Sequence, residues 1–61
     1  MSRRRFRVVF RERPSEVFLA SGYEERDEIL EFFDADIADD ETTGTRVFAR
    51  SSVIEVVELD T

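Results

Sequence analysis

Apolar and polar residues alternate near the start of the chain. From residue 5 to residue 11, every second side chain is apolar and could share one side of a strand: Phe6, Val8 and Phe10. This period is typical of a strand with one buried face. Pro14 then predicts a turn, because proline fixes its own φ and cannot donate a backbone hydrogen bond. Residues 16–20 predict a second strand, close enough in sequence to form a hairpin with the first.

The central segment predicts a helix. Ser21 and Glu24 have the spacing of a capping box, in which the serine hydroxyl binds an orphan helix amide and the glutamate reaches back. Apolar residues then recur at helical spacing, at Ile29, Leu30, Phe33 and Ile37. We therefore expect a helix over residues 23–33. Its continuation to Ile37 is left open, because aspartates are poor helix formers near a negative helix end.

The C-terminal part predicts two further strands. Residues 39–44 are polar and without periodicity, so we expect a loop there. Residues 46–50 predict a third strand, and residues 53–59 predict a fourth. Ser51 and Ser52 supply a short turn between them, which makes the last two strands a second hairpin.

These elements assemble most simply into an α+β fold. We expect a two-layer ββαββ domain, in which a four-stranded, mainly antiparallel sheet carries the helix on one face. The strand order is left open by the sequence. The single domain spans residues 1–61, and residues 1–4 and 60–61 are expected to be frayed.

The alternation along the predicted strands assigns side chains to the two faces of the sheet. Nine apolar side chains are placed under the helix: Phe6, Val8, Phe10, Val17, Leu19, Val47, Ala49, Ile54 and Val56. Four others then lie together on the helix-free face: Val9, Phe18, Phe48 and Val57. Charged residues form the rim of this apolar patch, with Arg7 and Arg11 among them. We therefore predict the helix-free face as a protein interface.

Length and composition narrow the possible functions. A chain of 61 residues has room for one small domain, which excludes a multi-domain enzyme or a large cofactor-enclosing fold. The chain has no Cys and no His, so disulfides and structural zinc sites are excluded. Domains this small commonly need such a cross-link or a partner chain. Self-association is the route that remains.

Charge is unevenly distributed along the chain. There are 15 acidic and nine basic residues, for a net charge of −6, and every basic residue is Arg. Residues 1–13 carry a local charge of +5, whereas residues 14–61 carry −11. A lysine-free, acidic composition suits a salt-adapted host, although the excess of Glu over Asp argues against one.

The arginine-rich first strand is a candidate nucleic-acid contact. Guanidinium groups suit phosphates, and an aromatic side chain such as Phe18 or Phe48 can stack on a base. Against this, arginines opposite glutamates on neighbouring strands form cross-strand pairs, and a net negative charge repels nucleic acid at long range. Nucleic-acid binding is therefore our third hypothesis.

The predicted helix supplies an acidic surface. Its candidate members are six carboxylates: Glu24, Glu25, Asp27, Glu28, Glu31 and Asp34. Such a surface can bind a basic protein or imitate the phosphate track of nucleic acid. An acidic inhibitor of nucleic-acid-binding machinery, of the phage or host-defence type, is therefore our second hypothesis. We predict no calcium site in residues 34–41, because the loop position that requires Gly in an EF-hand is Asp39.

Catalysis, cofactors and membrane insertion have no support in the sequence. The hydroxyl groups have no His or Lys to activate them, and the two glycines form no phosphate-binding loop. We predict no enzyme activity, no metal and no cofactor. No signal-peptide pattern and no run of about 20 apolar residues is present, so we expect a cytoplasmic protein. Our leading hypothesis is a non-catalytic interaction module that forms a homodimer through the helix-free face.

Overall fold

Nearly all of the chain that the structure describes is in β-strands. The computed structural model describes residues 3–37 and 42–59. Its strands are β1 (Arg4–Phe10), β2 (Glu16–Ala20), β3 (Gly22–Arg26), β4 (Ile29–Asp36), β5 (Thr43–Ala49) and β6 (Val53–Leu59). A 3₁₀ turn at Arg50–Ser52 precedes β6. Strands account for 74% of the described residues, which contain no α-helix.

The strands form two antiparallel sheets with a core between them. The first sheet has the order β2-β1-β6 and the second has the order β3-β4-β5. Every pair of neighbouring strands is antiparallel. The predicted α+β fold, with one four-stranded sheet under a helix, is therefore wrong. In the described ranges no helix lies on either sheet.

The four strands that alternation predicted are present, but only one of the two predicted hairpins forms. β1 and β2 pair as a hairpin, as predicted. β5 and β6 do not pair with each other, because β5 joins β4 in the second sheet and β6 joins β1 in the first. The 3₁₀ turn between them carries the chain from one sheet to the other, so that segment is a connection between layers.

The predicted helix at residues 23–33 is wrong, because this segment is a β-hairpin. β3 and β4 pair across a two-residue turn made of Asp27 and Glu28. Both turn residues have positive φ, at 50° and 66°, as a type I′ hairpin turn requires. The spacing of the apolar residues in β4 fits a helix, and it also fits a strand with apolar side chains on both faces. Periodicity alone cannot distinguish a helix from a strand in such a short apolar run.

Ser21 joins β2 to β3 and does not cap a helix. Its backbone N–H donates a hydrogen bond to the Phe33 carbonyl at 2.9 Å, and its hydroxyl donates to the same oxygen at 3.1 Å. Asp34 follows with a φ of 52°, where the pairing of β4 with β5 is irregular. The apparent capping box therefore reflects a serine that ties the junction between the two sheets to β4.

Within the described ranges, the core contains only apolar side chains. Its nine buried members are Phe6, Val8, Phe10, Phe18, Ala20, Leu30, Phe32, Ala35 and Val53. Phe32 is at the centre, because its ring centroid lies 5.0 to 5.8 Å from those of four other aromatic rings. Edge-to-face and offset stacking at these distances are favourable for aromatic rings.

Two strands present the opposite faces to those predicted. Phe18 is 7% exposed and belongs to the core, and Phe48 packs against that core. Val17 and Val47, which were predicted to be inside, are 50% and 52% exposed. A shift of one residue moves every side chain of a strand to its other face. The rings take the inner positions because they bury more apolar area than valine does.

Candidate protein-interaction face

The side of the first sheet that points away from the core is the candidate site. Residues directly opposite one another in an antiparallel pair project to the same side of the sheet, so the register defines the members of this surface. We call it the first outer face. Its rows, from β2 through β1 to β6, are Leu19–Arg5–Leu59, Val17–Arg7–Val57 and, on the last two strands, Val9–Glu55.

Most of the first outer face is aliphatic. Five of its eight side chains are apolar: Val9, Val17, Leu19, Val57 and Leu59. Val17 is half exposed, and the other four are half-buried. Two of the five lie on β2 and two on β6, on either side of the arginines of β1, and Val9 lies two positions beyond Arg7 on β1 itself.

Arg5 and Arg7 are exposed at the centre of this face. Six other arginines form ion pairs with acidic side chains: Arg3, Arg4, Arg13, Arg26, Arg46 and Arg50. Neither Arg5 nor Arg7 has an ion pair with any residue that the structure describes. The first outer face therefore presents positive charge that is open to an external partner.

Three of the predicted interface residues meet on the first outer face. Arg7, Val9 and Val57 are neighbours there, because Arg7 lies opposite Val57 and Val9 is two positions further along β1. Phe18 and Phe48 are not part of it. Their rings stack on the core side with centroids 6.2 Å apart, so the predicted set is divided between two surfaces.

The corresponding surface of the second sheet, the second outer face, combines acidic and apolar side chains. Its rows, from β3 through β4 to β5, include Glu24–Glu31–Val47 and Arg26–Ile29–Ala49. An oxygen of Glu31 lies 3.2 Å from Nε of Arg26, so part of its charge is compensated within the face. The first outer face has no internal ion pair among its described residues, and for this reason we take it as the candidate site.

The six residues of the predicted acidic surface do not share one face. They occupy the second outer face (Glu24, Glu31), the β3–β4 turn (Asp27, Glu28) and two further positions on β3 and β4 (Glu25, Asp34). Glu25 forms an ion pair with Arg50 at 3.2 Å, and the Asp34 carboxylate accepts a hydrogen bond from the Ser21 hydroxyl at 3.2 Å. The acidic charge is thus spread around the hairpin and partly compensated.

A cleft with a volume of about 440 Å³ lies between the β1–β2 connection, β5 and the 3₁₀ turn. The guanidinium carbon of Arg13 lies 4.0 Å from the centroid of the Phe10 ring in its wall. Glu16 forms ion pairs with both Arg13 and Arg46, and Arg46 lies 4.8 Å from the Phe18 ring. Local sequence carries no signal for this cluster, because the cluster joins side chains from three separate segments.

This cluster adjoins the cleft at Phe10 and Arg13 and covers the edge of the aromatic core. Cation–π contacts contribute about 0.5 to 1 kcal/mol each at exposed sites, and the shared carboxylate of Glu16 holds both guanidinium groups over the rings. Besides Arg13, the polar residues that line the cleft are Arg11, Glu12, Ser51 and Ser52. Arg11 is engaged as well, since its Nε donates a hydrogen bond to the Ser51 carbonyl at 2.8 Å.

Residues 3–37 and 42–59, the part of the chain that the structure describes, contain no group of three or more side chains that could hold a metal ion. Residues 38–41 of the loop considered for calcium lie outside this part of the chain, as do residues 1, 2, 60 and 61 of the expected frayed ends. No helix in the same part is long and apolar enough to cross a membrane.

We expect no submicromolar binding of single- or double-stranded oligonucleotides at about 50 mM salt. Three of the six arginines near the N-terminus are already in ion pairs, and the net charge of the protein repels phosphates. The anisotropy of a fluorescent oligonucleotide during titration tests this. Binding that disappears when Arg5, Arg7 and Arg11 are changed together to Gln would establish a nucleic-acid site on the first sheet.

The first outer face is suited to recognition. It offers aliphatic side chains for burial and two guanidinium groups and one carboxylate for ion pairing. No protein family, curated protein or solved structure matches this chain.

Proposed function

We propose that this protein is a small, non-catalytic interaction module that forms a homodimer through the first outer face. The observation that supports the proposal is the set of five aliphatic side chains that share one face of the first sheet with Arg5 and Arg7, with Val17 half exposed to solvent. Contact with a second protein removes this surface from water, which contributes about 25 cal/mol for each Å² of apolar area.

The charges of the face favour a second copy as the partner. Arg5, Arg7 and Glu55 place both signs on one surface, so two such surfaces can form ion pairs with each other. A self-complementary patch is what a symmetric dimer requires, because each side chain meets the same surface on the other chain. The short chain adds a second reason, since domains of this size often gain stability from a partner.

The size of the face sets the expected affinity. Three strands about 4.8 Å apart, each contributing about five residues at about 3.3 Å per residue, span about 15 by 17 Å. A standard interface buries about 800 Å² on each partner, which exceeds what this area supplies. We therefore expect a dissociation constant in the micromolar range, with monomer and dimer in exchange.

Val9→Asp is expected to raise the dissociation constant of the dimer at least about tenfold, because the interface then buries a carboxylate at a position that packs against apolar side chains. Val47→Asp is the matched control, since it places the same residue on a strand of the second outer face. Sedimentation equilibrium between about 1 and 500 μM measures both variants. Circular dichroism establishes that each variant is folded.

Two results would contradict the proposal. The first is a mass of 7.2 kDa at every concentration of the unmodified protein. The second is an equal loss of association in the two variants, because the second outer face would then contribute as much as the first. Loss in Val47→Asp alone would assign the interface to the second sheet.

A further inference from the structure

We infer that the second copy docks about a two-fold axis that pairs Arg7 of each chain with Glu55 of the other. The inference rests on the proposed function, because it specifies the partner contacts of the same face. In this arrangement Arg7 lies at the centre of the dimer interface and Arg5 lies outside it.

Four neighbouring side chains form the centre of the docking patch. Arg7 lies opposite Val57, and Val9 lies opposite Glu55. Opposite residues are about 5 Å apart, and residues two positions apart on a strand are about 7 Å apart. Arg7 and Glu55 therefore occupy one diagonal of a small rectangle, and the two valines occupy the other.

We call the line that joins Val9 and Val57 the valine diagonal. When two copies are related by a two-fold axis that lies in the interface close to this diagonal, their rectangles are complementary to each other. Rotation about the axis places Arg7 against the partner's Glu55 on one side and Glu55 against the partner's Arg7 on the other. Val9 and Val57 lie near the axis, so each packs on its own copy. The result is an apolar centre with an ion pair on each side, which matches the apolar core and charged rim of protein interfaces.

The charges disfavour an axis that runs along β1. Such an axis would place Arg5 on the partner's Arg5 and Arg7 on the partner's Arg7, and like charges at this distance repel. In a rectangle of about 5 by 7 Å the valine diagonal lies about 35° from the strands, so the strands of the two sheets cross at about 70°. This angle is closer to the orthogonal packing of two sheets, at about 90°, than to their aligned packing, at about 30°.

Arg5 provides an internal control for the position of the axis. It is on the same strand and the same face as Arg7, and both are exposed. It lies one row away from the rectangle, between Leu19 and Leu59, and outside the reciprocal contact. Arg5→Glu and Arg7→Glu therefore change the net charge equally and differ only in their place relative to the axis.

Charge reversal tests the arrangement. Arg7→Glu alone and Glu55→Arg alone are each expected to weaken self-association at least about tenfold, because both symmetric contacts become repulsive. An equimolar mixture of the two variants restores attraction at both contacts, so we expect a heterodimer in native mass spectrometry. The double variant Arg7→Glu with Glu55→Arg is expected to form a homodimer, and Arg5→Glu is expected to retain the dimer.

The possible results separate this inference from the proposed function. If the unmodified protein does not dimerise, both fail. If it dimerises but the Arg7→Glu and Arg5→Glu variants behave alike, the proposed function stands and the axis is wrong. A dimer lost in both single reversals but not recovered in the mixture would also overturn the reciprocal pairing. Recovery in the mixture and in the double variant supports it.

Discussion

Phe32→Ala is expected to leave much of the protein unfolded at 25 °C. Phe32 is fully buried, and its ring contacts those of Phe6, Phe18, Tyr23 and Phe48. Truncation of a buried phenylalanine costs about 3 to 5 kcal/mol, part of it from the cavity left behind. A domain of 61 residues is expected to have an unfolding free energy of only about 3 to 9 kcal/mol. One substitution therefore removes most of it.

Phe33→Ala is the matched control. Its side chain projects from the other face of β4 and is only half-buried, so we expect a loss of about 1 kcal/mol. Urea unfolding followed by circular dichroism compares the two variants. The comparison also separates the hairpin from the predicted helix, in which Phe33 belongs to the apolar stripe. A larger loss for Phe33→Ala would contradict the strand.

Asp27→Asn combined with Glu28→Gly is expected to raise the unfolding free energy by about 1 to 2 kcal/mol. Both residues have φ in the left-handed region, which costs about 1 to 2 kcal/mol for an ordinary L-residue. Glycine adopts this conformation without a steric penalty, and asparagine tolerates it, so Asn-Gly is the favoured sequence of a type I′ turn. The variant retains the hydrogen bond from the Arg50 N–H to the residue 28 carbonyl, 2.8 Å long here.

A second double variant separates backbone strain from charge. Asp27→Asn with Glu28→Gln removes the same two negative charges but keeps a side chain at position 28. We expect it to gain much less stability than the glycine variant in the same urea titration. Equal gains would show that repulsion among the acidic residues of the hairpin, and not the conformation of the turn, limits stability.

The N-terminal strand could be predicted because its two faces differ so clearly in polarity. β1 alternates between Phe6, Val8 and Phe10 on the inside and arginines on the outside, and the structure confirms this pattern. Its neighbour was harder. In β2 every residue from 17 to 20 is apolar, so alternation does not show whether Val17 and Leu19 or Phe18 and Ala20 face the core. The ring of Phe18 faces the core because the second sheet covers that side of the strand.

The hairpin of β3 and β4 was hidden by its turn and by its composition. A two-residue turn is usually marked by Asn-Gly or Asp-Gly, whereas Asp27 and Glu28 resemble the acidic first turns of a helix. Ile29, Leu30 and Phe33 fit the helical period as well. The pairing of β3 with β4 and of β4 with β5 stabilises the positive φ of these two acidic residues. Such tertiary pairing cannot be read from the local sequence.

The candidate site was predictable to the extent that it lies on β1 and β6. Arg7, Val9 and Val57 follow from strand alternation, and the register brings them together. Phe18 and Phe48 were assigned to the same patch because the other alternating side chains of their two strands were predicted to face the core. Leu19 and Val17 replace them on the first outer face, which changes its flank from aromatic to aliphatic.

The pairing of β1 with β6 joins segments about 50 residues apart, with Arg5 beside Leu59. A nascent chain that ends before residue 53 lacks the strand that completes the first sheet, so this fold forms only after residues 53–59 have been synthesised. Contacts at such separation require closure of a long loop before they contribute stability, which slows folding. During that interval the inner face of β1, with Phe6, Val8 and Phe10, remains accessible to chaperones and to other nascent chains.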